Sequence, residues 1–373
     1  MNYTTMSTRF YPILIILIAF GCIEKINKEE PSLSSRTEWA KVDDIATSIY
    51  SVSQQGGNIN LLSGDHLYYN YNFKGSESKT FNYTAHQTRP GWFRLPISEN
   101  FLVTRTEIEI NVFAINPNGV SAPLTINPKT LDDTFVRFED TAYWSGYGAF
   151  GLTETGNVLI PYRTIRNGLA ENNPSFLLIS LAKENNAIVI KETKVIKPNV
   201  ISYYDSVNVL FANDDFFLVR VGNRIVSIDT RGNYRVEANA DGAKFVKLAD
   251  RIVGVGYSNN SKETSIFEMN LDGSNFMTKV KTVVKENLLS YNYTAVDNRI
   301  IAFLDDKIFE LTNINNKPDL RELNNSKLED TFISAIFVTN DQKITITTHC
   351  RTLCGGIYEK DLDKFFEFKN TNN

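Results

Sequence analysis

One five-residue pattern recurs through the second half of the chain and constrains its fold more than any other feature. Ile225-Val-Ser-Ile-Asp229, Ile266-Phe-Glu-Met-Asn270, Ile308-Phe-Glu-Leu-Thr312 and Ile357-Tyr-Glu-Lys-Asp361 begin 41, 42 and 49 residues apart. Each reads as a short, mostly alternating strand followed by a polar or glycine-containing turn, such as Thr230-Arg-Gly-Asn233 or Asp272-Gly-Ser-Asn275. Self-similarity at this period is the mark of propeller blades. A lone small sheet buries too little surface to be stable, and ring closure gives each sheet the neighbour it needs.

Strands around the pattern complete four-stranded units. Residues 244–248, 251–257, 265–270 and 276–282 make one set, and 294–296, 299–303, 307–311 and 319–323 the next. Asp297-Asn298 and Asp305-Asp306 between them have hairpin chemistry. Weaker equivalents of the third strand fall at 176–181, 123–127 and 80–84. The first blade is read from 58–62, 66–72, 80–84 and 91–96, and 45–52 is a strand available to clasp the ring ends. The expected fold is therefore an all-β propeller of about seven four-stranded blades, spanning 41–373. Six blades with an irregular N-terminal sheet also fit, whereas paired immunoglobulin-like sandwiches explain the spacing poorly. The 17 tyrosines and 24 phenylalanines favour strands.

Ile266-Phe-Glu-Met-Asn-Leu-Asp-Gly-Ser-Asn275 resembles the blade motif of TolB-like propellers, in which an aromatic-bearing strand enters a Leu-Asp-Gly turn. That resemblance covers fold, over about 200–370, and implies no activity. The N-terminus resembles that of bacterial lipoproteins. Arg9 is its only charged side chain before a short apolar run, Ile13 to Phe20, that ends in Gly21-Cys22. Such a segment reads as a secretory signal over 1–21, too short to span a bilayer. Gly21 and Cys22 fit the lipobox, while Ala19 and Phe20 depart from its usual residues. The resemblance implies a diacylglycerol on the Cys22 thiol, cleavage before it, and acylation of the new amine with a chain such as palmitate. Multiple chains give stable anchoring. Ile23 stands where an aspartate would retain many such proteins at the inner membrane, so the outer membrane is expected, on its periplasmic side or at the cell surface. Residues 22–40 read as the lipidated cysteine and a polar tether.

A net charge of −4 gives no basic footprint, so nucleic acid is not an expected partner. Beyond Cys22 the only cysteines are Cys350 and Cys354, which in an oxidising compartment read as a disulfide around a small loop, with free thiols as the alternative. His349 is a third ligand for a metal there, but no fourth is in view, and no metal is expected.

The search for catalytic signatures is negative. His66, His86 and His349 lie far apart, and no HExxH, GxSxG elbow, P-loop or dinucleotide fingerprint is present, so no cofactor is implied. Ser227-Ile-Asp229-Thr-Arg-Gly232-Asn-Tyr234 approaches the sialidase Asp-box, but its glycine is one residue late and tyrosine replaces tryptophan. A carbohydrate hydrolase with two carboxylates stays open as an alternative, with Asp132, Asp133, Glu139, Asp140 and Glu154 as candidates. Asp272-Gly-Ser-Asn275 is rich in oxygen but lacks calcium-loop spacing.

The most site-like stretch is Tyr143-Trp-Ser-Gly-Tyr-Gly-Ala-Phe150, continuing to Tyr162 and Arg163. Trp144, Tyr147 and Tyr162 offer flat faces to a sugar or a protein, and Arg163 suits a carboxylate. Packing between blades is the plainer use of the same rings. Tyr68, Tyr69 and Tyr71, with Trp92, form a second aromatic cluster, split by strand alternation. The expected function is a lipid-anchored, non-enzymatic propeller that binds an envelope protein or a glycan. A scaffold for outer-membrane assembly is a further reading. Lipoprotein propellers that assist barrel insertion often carry Trp-containing repeats, and this chain holds three tryptophans in all.

Overall fold

The computed structural model describes residues 38–369, except 46–48, 56–57, 64–66, 73–78, 83–95, 117–118, 140–149, 186, 201–206, 240–241, 277–278, 315–316, 329–330, 340–341 and 350–354. After β1 (Ala40–Ile45), β2 (Ile49–Gln55), β3 (Asn58–Ser63), β4 (Leu67–Asn72) and β5 (Lys79–Asn82) form a sheet in that order. The next contains β6 (Phe101–Arg105), β7 (Ile110–Asn116), β8 (Gly119–Val120) and β9 (Leu124–Ile126). Its inner edge is completed by Ile97, which bridges Leu102. A six-stranded sheet follows: β10 (Phe135–Phe138), β11 (Gly151–Leu152), β12 (Asn157–Arg166), β13 (Leu169–Ala170), β14 (Ser175–Glu184) and β15 (Ala187–Ile196). Two further sheets are β16 (Val207–Ala212) to β19 (Tyr234–Asn239), through β17 (Phe216–Val221) and β18 (Arg224–Asp229), and β20 (Gly242–Lys247) to β23 (Lys279–Val284), through β21 (Ile252–Ser258) and β22 (Glu263–Met269). The sixth holds β24 (Asn292–Val296), β25 (Arg299–Leu304), β26 (Lys307–Thr312) and β27 (Asp319–Glu322). The last holds β28 (Phe332–Val338), β29 (Lys343–His349) and β30 (Gly355–Asp361), with β1 as its outer strand and a single helical turn, α1 (Leu362–Phe365), after it.

The protein is thus an all-β propeller, with six four-stranded blades and one six-stranded sheet. Its core explains why the ring holds. Among the described residues, seven apolar clusters each join two consecutive sheets, and the series closes on itself. Alternation along the strands makes this work, because each sheet must offer an apolar face to both neighbours. In β17, Phe217, Val219 and Val221 enter one cluster, while Phe216 and Leu218 enter the next. Closure is made by hydrogen bonding: β1 pairs antiparallel with β30, so the first and last strands share one sheet. Trp39, just before β1, is buried edge-on against Phe365.

The four repeats of the sequence pattern are β18, β22, β26 and β30, the third strand of four sheets. Asp297 and Asn298 both take positive φ, as a two-residue hairpin twisted to match its strands requires. The N-terminal reading was displaced by one strand. Residues 45–52 straddle β1 and β2, and the clasp is β1 itself, while β2 is the inner strand of the first sheet. The strand at 80–84 corresponds to β5, the outer one of its sheet. An alternating pattern reports burial of one face but does not name the strand paired at each edge.

Candidate interaction face

The six-stranded sheet carries the predicted aromatic stretch, and its registers show how the chain is arranged there. β10 and β11 pair with successive parts of β12, so the inner strand is in two pieces. The Glu139 N–H donates to the Pro161 carbonyl at 3.1 Å, and Gly151 pairs with Leu159. On β12 only Ile160 lies between these two partners, whereas in sequence residues 140–150 lie between Glu139 and Gly151. Trp144 and Tyr147 belong to that segment and lie outside the described residues, as do Asp140, Cys22, Cys350, Cys354, His66, His86 and Trp92.

Tyr162 and Arg163 are adjacent in β12 and so project to opposite faces. Tyr162 joins the apolar cluster shared with the preceding sheet. Its hydroxyl donates to Asp132 Oδ2 at 2.7 Å. Asp132 also accepts from the Thr134 N–H at 3.0 Å and faces Lys197 Nζ at 3.1 Å. Burial alone would raise the Asp132 pKa, but these donors overcome it and hold the carboxyl at about 2. The same burial, with the carboxylate beside it, pushes the Tyr162 phenol well above its ordinary range. Arg163 is buried and paired through Nε with the buried carboxylate of Glu139. Its Nη1 donates to the Asn172 carbonyl at 2.8 Å and the Glu171 carbonyl at 3.3 Å. The Arg105 guanidinium lies over the Phe138 and Phe150 rings, at 5.1 and 5.9 Å from their centroids. Asp132, Arg163 and Glu139 thus each have a partner within the protein.

Solvent meets a different set of side chains. β12 turns into β13 through Asn167 and Gly168, both at positive φ. This tight hairpin lifts Leu169 clear, leaving it 74% exposed. Ile165 and Val136 are exposed beside it, and the Ile165 N–H donates to the Thr134 carbonyl at 3.0 Å, tying the hairpin to the connection that enters β10. Sequence reasoning passed over this hairpin, although Asn-Gly between Ile165-Arg166 and Leu169-Ala170 is a strong signal for one.

The Asp-box-like segment forms a turn. Asp229 Oδ1 accepts from the N–H groups of Arg231 (2.9 Å) and Asn233 (2.8 Å), and Gly232 takes the positive φ. With Tyr234, Arg235 and Asp272 it borders a recess of about 320 Å³. Hydrogen bonding to Ser274 lowers the Asp272 pKa, and Arg235 donates to the Gly273 carbonyl at 3.3 Å. Glu154, in the turn before β12, differs from the other carboxylates. Burial raises its pKa despite the Glu99 N–H that donates to it at 3.1 Å, and the charges of Asp214 and Glu99 act the same way as burial.

No protein-family model and no curated protein sequence matches the chain. Solved structures do resemble it. The WD40 domain of Neurospora crassa Pan2 superposes with a TM-score of 0.52 at 10% identity, covering 89% of this chain and 98% of that one. BamB from Moraxella catarrhalis gives 0.48 at 9% identity, over 87% and 92% of the two chains. At these identities the likeness is one of propeller fold and extends no further.

Proposed function

We propose that this chain is a lipid-anchored protein of the outer membrane whose propeller binds an envelope partner, a protein in preference to a glycan, without chemical turnover. The reading rests on one contrast in the six-stranded sheet. Its buried Arg163 and Glu139 pair with each other and the half-buried Asp132 is held by Tyr162 and Lys197, while apolar side chains stand in solvent at the sheet's end. Charges paired within the fold are taken up there, and exposed apolar groups are what a partner covers. Gly21-Cys22 supports the anchor. Trp144 and Tyr147 remain part of the proposal as aromatic residues whose flat faces suit a partner.

The test compares the wild-type chain with Cys22→Ser in cells. Expected are a diacylglyceryl mass on the N-terminal peptide, membrane fractionation that the substitution abolishes, and one envelope protein crosslinked in stoichiometric amount. A soluble, unacylated wild-type chain would refute the anchor, and recovery of no specific protein would refute the binding reading. Glu154 supports a second reading, hydrolysis of a carbohydrate, since a carboxyl of raised pKa beside other carboxylates is the setting of a general acid. Turnover of a glycan that Glu154→Gln abolishes would establish it.

A further inference from the structure

Among the described residues, exposed large apolar side chains are not spread evenly over this ring. Five of them, Ile108, Leu131, Val136, Ile165 and Leu169, belong to one end of two consecutive sheets. The rest lie on the outermost strands β1, β15, β19 and β23 or, as Phe368, beneath the Arg321 guanidinium at 3.6 Å. Scattered exposed residues on outer strands are ordinary, whereas a contiguous set is not.

The registers make the five contiguous. Ile110 pairs with Ile126, so the turn bearing Ile108 and the connection bearing Leu131 leave from one rung. That connection ends at Thr134, whose carbonyl accepts from Ile165, and Val136 follows in β10. Leu169 pairs with Arg166 across the hairpin. Charges around the set are divided by sign. Lys129 and Arg166 are exposed on the side of the six-stranded sheet, with Asp133 exposed between them in sequence, and Asp132 already faces Lys197. Glu107 and Glu109 flank Ile108 on the other side.

We infer that this end of the two sheets is a docking surface for a protein segment that is apolar in its middle, acidic where it meets Lys129 and Arg166, and basic where it meets Glu107. Two signs on opposite sides of an apolar centre fix the direction in which a segment lies. An anionic lipid surface would call for basic residues on both sides. The inference rests on the protein-binding reading above and gives it a place.

The test pans a display library of random 15-residue peptides against the full chain. The expected segments have apolar centres and one acidic end, and Leu169→Asp weakens their binding about tenfold or more, as loss of a buried leucine anchor does. Arg166→Glu weakens them too, and peptides with lysine at the acidic end recover binding to that variant. Tyr234→Asp, on an outer strand, leaves binding unchanged, and circular dichroism shows all three variants folded. Enriched peptides indifferent to Leu169→Asp and Arg166→Glu would overturn the placement and leave protein binding standing. No enriched peptide at all would overturn both. Binding of anionic vesicles, or a dimer of the chain itself, that Leu169→Asp abolishes would assign the surface to lipid or to a second copy and overturn the inference.

Discussion

Replacing Tyr162 with phenylalanine separates a structural tyrosine from a binding one. The Asp132 carboxyl falls from 3.8 to about 2 in the folded chain. A shift of that size corresponds to roughly 2 kcal/mol, trimmed to about 1–2 kcal/mol by solvent screening. Tyr162, both donors of Thr134 and Lys197 share it, so removing the phenol is expected to cost about 1 kcal/mol at pH 7. The pH dependence carries the diagnosis. A depressed carboxyl contributes its stability above 3.8, and the contribution fades as pH falls toward 2. In Tyr162→Phe the carboxyl moves back toward its ordinary value, so the deficit against wild type should be full at pH 5–7 and shrink to a few tenths of a kcal/mol near pH 2. Urea unfolding followed by fluorescence of buried Trp39, repeated across that range, measures it. Asp132→Asn completes a cycle whose coupling should be about 1 kcal/mol. A deficit independent of pH would refute the argument that the hydrogen bond is its source. No deficit at all, with partner binding lost, would make Tyr162 a binding residue.

Three further outcomes follow from the packing and burial. Gly254 faces Phe267 across β21 and β22, and a methyl there would lie 2.9 Å from Cε1 and nearer still to two other ring carbons; Gly254→Ala should lose about 1–3 kcal/mol in urea unfolding, and Phe267→Leu in the same chain should restore part of it. Trp39→Ala, which empties the cluster at the ring closure, should cost about 3–5 kcal/mol, read as a lowered calorimetric Tm. Lys360 is fully buried, and among the described residues its Nζ has no hydrogen-bond partner. Burial lowers its pKa against the opposing pull of Glu367 and Glu38, so wild-type stability should rise with pH from that lowered value toward 10.5. Lys360→Met should match or exceed wild type at pH 7 and lose that alkaline rise, and a loss beyond about 2 kcal/mol would show the ammonium to be well compensated.

Much of the architecture could be read from residue order, and the parts that could not share a cause. A repeated third strand with polar turns needs only local alternation, which is why β18, β22, β26 and β30 were legible. The clasp was misplaced because 45–52 alternates as well as any strand, and edge pairing with β30 depends on residues more than three hundred positions away. Tyr162 and Arg163 looked like one site because they are neighbours in sequence. The pleat sends them to opposite faces, and Asp132 and Glu139, distant in sequence, become their partners. The Asn167-Gly168 hairpin was within reach of the sequence, but nothing in residue order said that Leu169 would stand uncovered.

The sequence by itself determined the class of fold, because a strand repeat near forty residues leaves each sheet with two apolar faces and only a ring of such sheets covers both. It is also the basis of the proposed anchor at Cys22, whose chemistry would depend on a few adjacent residues. Tertiary structure decided which charges are matched in the interior and which apolar groups remain in solvent. Those outcomes turn on which strand lies beside which, and strand pairing brings together residues that no local pattern connects.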